Sequence, residues 1–290
     1  MKALDLPPRR VPSLTVAIPA STLSETPHLR EKTVKTAMIG RALAIFRVDK
    51  VAIYRDQLQS QRGEVKLMAT LLSYMATPQY LRKSLFKIIP ELKFSGLLPP
   101  LRIPSHPLEA KASKLKPGSF RQGLVIGRLE EVSLVDVGVE KPARVKGKHP
   151  LGKLLNVKIL RVEKGLVEAE AVETWEIPYY WGFKVEAEGV GLPELVRKGG
   201  YSLTLATSRY GEPLEAVEDE VYERWRKAES VLVAFGSPRE GLKEILARHG
   251  MKPQDLFDFT VNTIKLQGTE TVRVEEALTA TLAVLNHIVP

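Results

Sequence analysis

The sequence predicts an α/β protein with a mostly parallel sheet, interrupted by a small β-barrel. Three observations carry this. Apolar runs of strand length alternate with amphipathic helical stretches up to about residue 95, and the alternation resumes after about residue 190. Between Phe120 and Val172 the segments are short and β-like, with glycines and turns about every ten residues, the spacing of a small antiparallel barrel. Residues 95–107, SGLLPPLRIPSHP, are too proline-rich for a regular element and mark the change. The expected domains are therefore a discontinuous α/β domain, residues 1–95 and 187–290, and an insert, residues 96–186.

The elements follow in order. LTVAIPAS (Leu14–Ser21) is a buried strand. Thr26 reads as an N-cap and Pro27 as the first helical residue, opening an amphipathic helix to about Phe46. KVAIY (Lys50–Tyr54) is a strand, GEVKLMATLLSYMAT a helix, and PQYLRKSLFKI a second helix begun by Pro78. The barrel segments are GLVIGRLE, EVSLVDVGV, ARVKG and LLNVKILRVEKGLVEAEAV. SLTLATS is then a strand, PLEAVEDEVYERWRKA a helix, SVLVAF a strand, and REGLKEILARHG a helix closed by Gly250. FDFTVNTI is the last strand and TVRVEEALTATLAVLNHI the last helix.

Composition narrows the class. The 290 residues are 44% hydrophobic and 27% charged, as in an ordinary globular protein. With Cys 0 there is no disulfide, thiolate metal site or cysteine nucleophile. No apolar run reaches the roughly 20 residues of a spanning helix. Pro7, Pro8 and Pro12 break the N-terminus, which does not read as a signal peptide, so a cytoplasmic protein is expected. The net charge of +9 is unevenly spread. Residues 1–99 carry +9 and residues 100–185 carry +5, whereas residues 186–290 carry −5. A polyanion would be drawn to the first two thirds.

Several chemistries fail on spacing. In FGSPREGLK, Gly241 is followed by Leu242 with Lys243 one place late, so the phosphate grip of a P-loop is missing. GVGLPE (Gly189–Glu194) lacks the third glycine of a dinucleotide fingerprint. The histidines at 28, 106, 149, 249 and 287 have no paired spacing, so no metal is expected. No GxSxG elbow is present. What remains is a constellation of three strand ends: LATSRYGEP (Leu205–Pro213), AFGSPREG (Ala234–Gly241) and TVNTIKLQGTETVRVEEA (Thr260–Ala277). Each leaves an apolar strand for small, polar or glycine-containing sequence, and open α/β sheets bind ligands at the carboxyl ends of their strands.

NTIKLQGTETVRVEEALTATLA resembles the knotted S-adenosylmethionine (SAM) loop and helix of SPOUT-class methyltransferases, and FGSPREGL resembles their Gly-Pro-Gly loop. REKTVKTAMIGRALAIFRVDKVAIY is similar to their N-terminal helix. TPHLREKT, TPQYLRKSLF, GLLPPLRIPSHP, LATSRYGEP and QGTETVRVEEAL together resemble an archaeal and eukaryotic branch of RNA methyltransferases with an OB-like barrel inserted into the knot domain. The resemblance spans nearly the whole chain. It departs from the class at Gly236-Ser237, where Gly-Gly is frequent.

The resemblance implies a trefoil-knotted SPOUT sheet and a methyltransferase that takes its methyl group from SAM. It implies SAM contacts at Thr207 and Ser208, at Gly236 and Ser237, and at Asn262, Ile264, Gln267, Gly268 and Thr269. It implies Arg41 as the catalytic residue, on a helical face with Arg30, Val34 and Ala37, holding an RNA phosphate or polarising the base. Arg30, Lys32 and Lys35 are expected to face RNA, as are Lys111, Lys114, Lys116, Arg121, Lys146 and Lys148 on the insert. Phe120 could stack on a base, and Trp175, Tyr179, Tyr180 and Trp181 read as a hinge or a packing cluster. The last helix is apolar on two sides: Val274, Ala277, Leu278, Thr281, Leu282, Leu285 and Ile288 on one, Ala280, Ala283 and Val284 on the other. This predicts a homodimer, with one side on the sheet and the other on a second subunit. The substrate expected is rRNA, with a uridine base nitrogen as a looser expectation. The alternative is a non-catalytic RNA-binding or assembly factor that uses the knot fold as a dimer scaffold.

Overall fold

The computed structural model describes residues 6–163 and 166–289. The Pro-broken N-terminus therefore lies partly outside the described residues. Two compact units are formed, one by residues 10–76, 90–100 and 183–289, the other by residues 6–9, 77–89, 101–163 and 166–182.

The first unit is built on a six-stranded sheet. In chain order its strands are β1 (Ser13–Pro19), β2 (Lys50–Tyr54), β8 (Lys184–Glu186), β9 (Leu203–Pro213), β10 (Ser230–Ala234) and β11 (Phe259–Asn262). Their spatial order is β11-β9-β10-β1-β2-β8, and every pairing is parallel. A parallel sheet is covered on both faces, which is why β1, β2 and β10 read as continuous apolar runs. Their helices are α1 (Leu29–Ile45), α2 (Arg62–Ala76), α4 (Leu192–Gly199), α5 (Leu214–Lys227), α6 (Leu242–Ala247) and α7 (Val274–Ile288). α1 packs on α2 and α7. α4 and α6 cover one sheet face through Leu192, Val196, Leu242, Ile245 and Leu246, which meet Ala17, Ala206, Leu232 and Ala234. Register places Ala206, Ala234, Ala17 and Ala52 side by side across four adjacent strands. That row of small side chains lies at or just below the strand ends from which the loops depart.

Three departures from the predicted elements have local causes. The helix predicted from Thr26 and Pro27 begins at Leu29, because His28 is still extended (φ −96, ψ 141) and serves as the N-cap. β9 runs on past Ser208 to Pro213, but its pairing with β11 jumps from Ala206 opposite Thr260 to Glu212 opposite Val261. Residues 207–211 are thus looped out of the ladder, and Gly211 returns the chain. A Cβ there would stand 2.7 Å from the carbonyl carbon of Val261, so only glycine fits against that backbone. β8 and α4 were not foreseen; β8 lies within the range assigned to the insert and pairs with β2 at the edge of the sheet.

The second unit holds α3 (Gln79–Leu85) and a closed five-stranded barrel. Its strands are β3 (Phe120–Leu129), β4 (Val132–Asp136), β5 (Ala143–Lys146), β6 (Leu154–Glu163) and β7 (Leu166–Val172). They close in the order β3-β4-β5-β7-β6, antiparallel except for the parallel β5–β7 pair. Val125, Val135, Val145, Val157, Ile159 and Val167 fill the interior at alternate positions. Phe120, Tyr179 and Trp181 make edge and tilted ring contacts at 5.8–6.5 Å, and the Trp181 indole donates to Asn156 Oδ1 at 2.8 Å. Tyr180 is buried as well, so these rings form a packing cluster, while Trp175 is exposed.

One polar clamp ties β9 to the approach to β11. Thr204 donates to Asp258 Oδ2 from its N–H and its hydroxyl, both at 2.8 Å, and Arg224 donates to Oδ1 at 2.5 Å. Burial alone would raise the Asp258 carboxyl, but these donors outweigh it and hold the group below its ordinary value. Its stabilisation is therefore full above the ordinary carboxylate range and is lost as pH falls through the depressed value. Replacing Asp258 by Asn should cost about 1–2 kcal/mol in denaturant melts near neutrality. The difference from wild type should shrink steadily below about pH 4; a constant difference across that range would contradict the assignment.

Candidate functional site

The bulge of β9 at residues 207–211 begins where its pairing with β10 ends, so it lies at the same edge from which the loops after β10 and β11 leave. Hydrogen bonds then join them. The Thr207 hydroxyl donates to the Ala234 carbonyl at 2.9 Å, linking the β9 bulge to the end of β10. The Asn262 amide donates to the Arg209 carbonyl at 3.0 Å, and the Arg209 guanidinium donates to the Glu270 carbonyl at 2.5 Å, linking the β9 bulge to the end of β11 and the loop that follows it. Within the last loop, Ile264 N–H donates to Asn262 Oδ1 at 3.0 Å, and the Gln267 amide donates to the Thr269 and Glu270 carbonyls at 2.9 and 3.1 Å. Thr207, Ser208, Gly236, Ser237, Asn262, Ile264 and Gln267 are half-buried, while Gly268 and Thr269 are exposed.

The middle loop is closed on itself. Ser237 N–H donates to the Glu240 carbonyl at 2.8 Å, and Glu240 N–H donates to the Ser237 hydroxyl at 3.0 Å. A Cβ on Gly236 would lie 3.1 Å from the Glu240 carbonyl oxygen, so a side chain there crowds the turn. This loop is also braced from β1 and β2, by residues the sequence did not single out. The Tyr54 hydroxyl donates to the Phe235 carbonyl at 2.6 Å. Arg248 donates to the Asp56 carbonyl at 2.6 Å and pairs with Glu240. The buried Asp56 carboxylate accepts from Ser21 N–H at 3.1 Å, the Ser21 hydroxyl at 2.6 Å and the Gln61 amide at 3.0 Å. A carboxylate two residues past a fully buried strand is the one sequence signal that could have flagged Asp56.

α1 and α7 frame a second feature, a pocket of about 510 Å³. Glu25, Thr26, Pro27, Arg30, Glu31, Val34, Lys35 and Met38 line it from the α1 side, and Arg273 and Glu275 from the start of α7. Arg41 is half-buried one turn beyond Met38, on the same side of α1. Lys35 is not the surface charge the sequence suggested. It is 8% exposed, and its Nζ lies 3.3 Å from Glu275 Oε2. Arg30 is exposed and Lys32 half-buried.

On the barrel unit, Lys111, Lys114, Lys116, Lys146 and Lys148 are exposed, with Lys148 paired to Glu131 at 2.6 Å. Arg121 is a correction. It is 3% exposed and donates to the Glu109 and Val137 carbonyls at 2.9 and 3.3 Å. It braces the barrel and presents no charge to a ligand. Burial holds its guanidinium below the usual arginine value.

Among the described residues, no group of three or more His, Asp or Glu side chains is placed to hold a metal, and no helix is long and apolar enough to cross a membrane.

The sequence is similar to those of known proteins. A 28S rRNA (uridine-N(3))-methyltransferase of Mus musculus is 31% identical over 305 residues, covering 94% of this chain and 76% of the mouse protein. The Homo sapiens protein of the same description is 30% identical, covering 94% and 77%. An uncharacterised protein of Halobacterium salinarum is 33% identical, covering 93% of this chain and 98% of its own length. Residues 13–285 match the profile of a family described as "Putative RNA methyltransferase". The chain belongs to that RNA methyltransferase family.

Proposed function

We propose that the protein is a SAM-dependent methyltransferase of rRNA, acting on a uridine base nitrogen. The observation that carries this is the joined edge of three strand-end loops in a chain whose mouse and human relatives are described as 28S rRNA (uridine-N(3))-methyltransferases. The residues present fit SAM. The contact positions offer hydroxyls, amides and backbone around Gly236 and Gly268, with no lysine or arginine among them. That set suits a ligand whose sulfonium is already positive.

When bound, SAM would supply an activated methyl group. The chain's part is to bind and orient. Thr207, Ser208 and the loop that Asn262 fastens would hold the donor, and the Gly236 turn would let backbone approach it closely. Arg41 holds an RNA phosphate or polarises the base, which is worth most where water is excluded. Holding the acceptor nitrogen beside the donor would supply much of the rate, and the proton on that nitrogen is lost to solvent.

On this reading the sheet unit carries the trefoil knot, and the barrel is an OB-like RNA-binding module that uses its exposed lysines. The protein acts in the cytoplasm as a homodimer through the outer side of α7, where Ala283 and Val284 are exposed and Ala280 is half-buried.

Isothermal titration with SAM should give one site per chain. In Gly268→Arg, whose added side chain meets open space in the protein but fills the cradle, binding should fall by more than about tenfold. Absence of heat, or an unchanged affinity in this variant, would count against the reading. Arg41→Ala should keep SAM affinity and lose methyl incorporation into rRNA by about a hundredfold or more. Tight RNA binding without any methyl incorporation by the wild-type protein would favour the assembly-factor alternative.

A further inference from the structure

The pocket between α1 and α7 is lined by a buried ion pair. Lys35 and Glu275 have side chains only 9% and 5% exposed. Removing both from water costs more than a single contact repays unless further hydrogen bonds are added. Yet Glu275 Oε2, 3.3 Å from Lys35 Nζ, accepts no hydrogen bond. Buried polar atoms in native proteins almost always have a hydrogen-bond partner, and each exception calls for a reason. Here the same carboxylate lines a pocket of about 510 Å³, within the usual size of a small-ligand site.

The chemistry of the lining selects the ligand. Glu275 offers an acceptor and Lys35, 3.3 Å away, offers a donor. Val34 and Met38 give the pocket apolar lining against which a flat ring can rest. Arg30, 3.8 Å from Glu31, and Arg273 are exposed lining residues whose guanidinium groups suit a phosphate, while Glu25 and Glu31 line the same pocket. We infer that this pocket takes one nucleobase of the RNA, with an edge that carries an N–H beside a carbonyl. Glu275 accepts from the N–H, and Lys35 donates to the carbonyl. Uracil has this edge at N3–H and O4, and guanine at N1–H and O6. Cytosine has an acceptor where the N–H would be. The inference rests on the RNA-methylating reading and adds to it the residues that choose the base.

The test is fluorescence anisotropy on the full chain with a short oligoadenylate carrying one central U, G, C or 3-methyluridine. The wild-type protein should bind the U or the G oligomer at least about tenfold more tightly than the C and 3-methyluridine oligomers. U above G assigns the pocket to uridine, and G above U to a guanosine; either supports the site. Glu275→Gln should gain affinity for the C oligomer, because its amide donates to cytosine N3, and a merely structural role would not produce that exchange. Equal binding of all four oligomers by the wild-type chain overturns the inference. Should Glu275→Gln fail to fold, crosslinking of the wild-type chain to the oligomer bearing 4-thiouridine decides. Crosslinks within residues 26–38 or 273–275 support the site, and crosslinks confined to other residues overturn it. None of these readouts needs methyl transfer. Base preference without methylation would thus sink the enzymatic reading alone, and methylation without base preference would sink this one alone.

Discussion

Parallel strands that end at one level are the constraint on which the rest depends. Ala206, Ala234 and Ala17 stand side by side in register, so the bulge of β9 and the chains that leave β10 and β1 emerge along one edge. Their small side chains keep the surface below the loops low. The five residues 207–211 bulge outward because β9 pairs with β11 both before and after them. Gly211 makes that return possible by lying against the β11 backbone. Lose the common register, and Thr207 no longer reaches Ala234, nor Asn262 Arg209.

Polar interactions hold this edge from both sides. On one flank Thr204, Asp258 and Arg224 fasten β9 to the start of β11. On the other, Ser21, Asp56, Gln61 and Arg248 connect the ends of β1 and β2 to the Gly236 turn. Preorganised loops bind a ligand without a large ordering cost. The buried Lys35–Glu275 pair differs in kind. One oxygen of its carboxylate, Glu275 Oε2, accepts no hydrogen bond, and both residues line a pocket.

Much of this was legible in the sequence, and the misses share a cause. β1, β2 and β10 are unbroken apolar runs, and the barrel strands alternate between inside and outside, so periodicity finds them. β8 and α4 have only three and eight residues, too few for either period to register. Lys35 and Arg121 were read as surface charges because lysine and arginine are rarely buried. Their partners, Glu275 and the Glu109 and Val137 carbonyls, are supplied by tertiary packing rather than by neighbours on the same helix or strand. Asp56 and Arg248 were missed for the same reason, since neither belongs to a local pattern. The three strand-end loops were recognisable because their composition is itself local: glycine, serine, threonine and asparagine directly after apolar strands.

A crystal of the protein soaked with SAM tests the central claim most directly. The account predicts density for the donor in contact with all three loops at once, at Thr207 or Ser208, at the Gly236 turn and around Gly268. Density at another place on the protein, or a cradle filled by the protein's own side chains with no room for the donor, would contradict it.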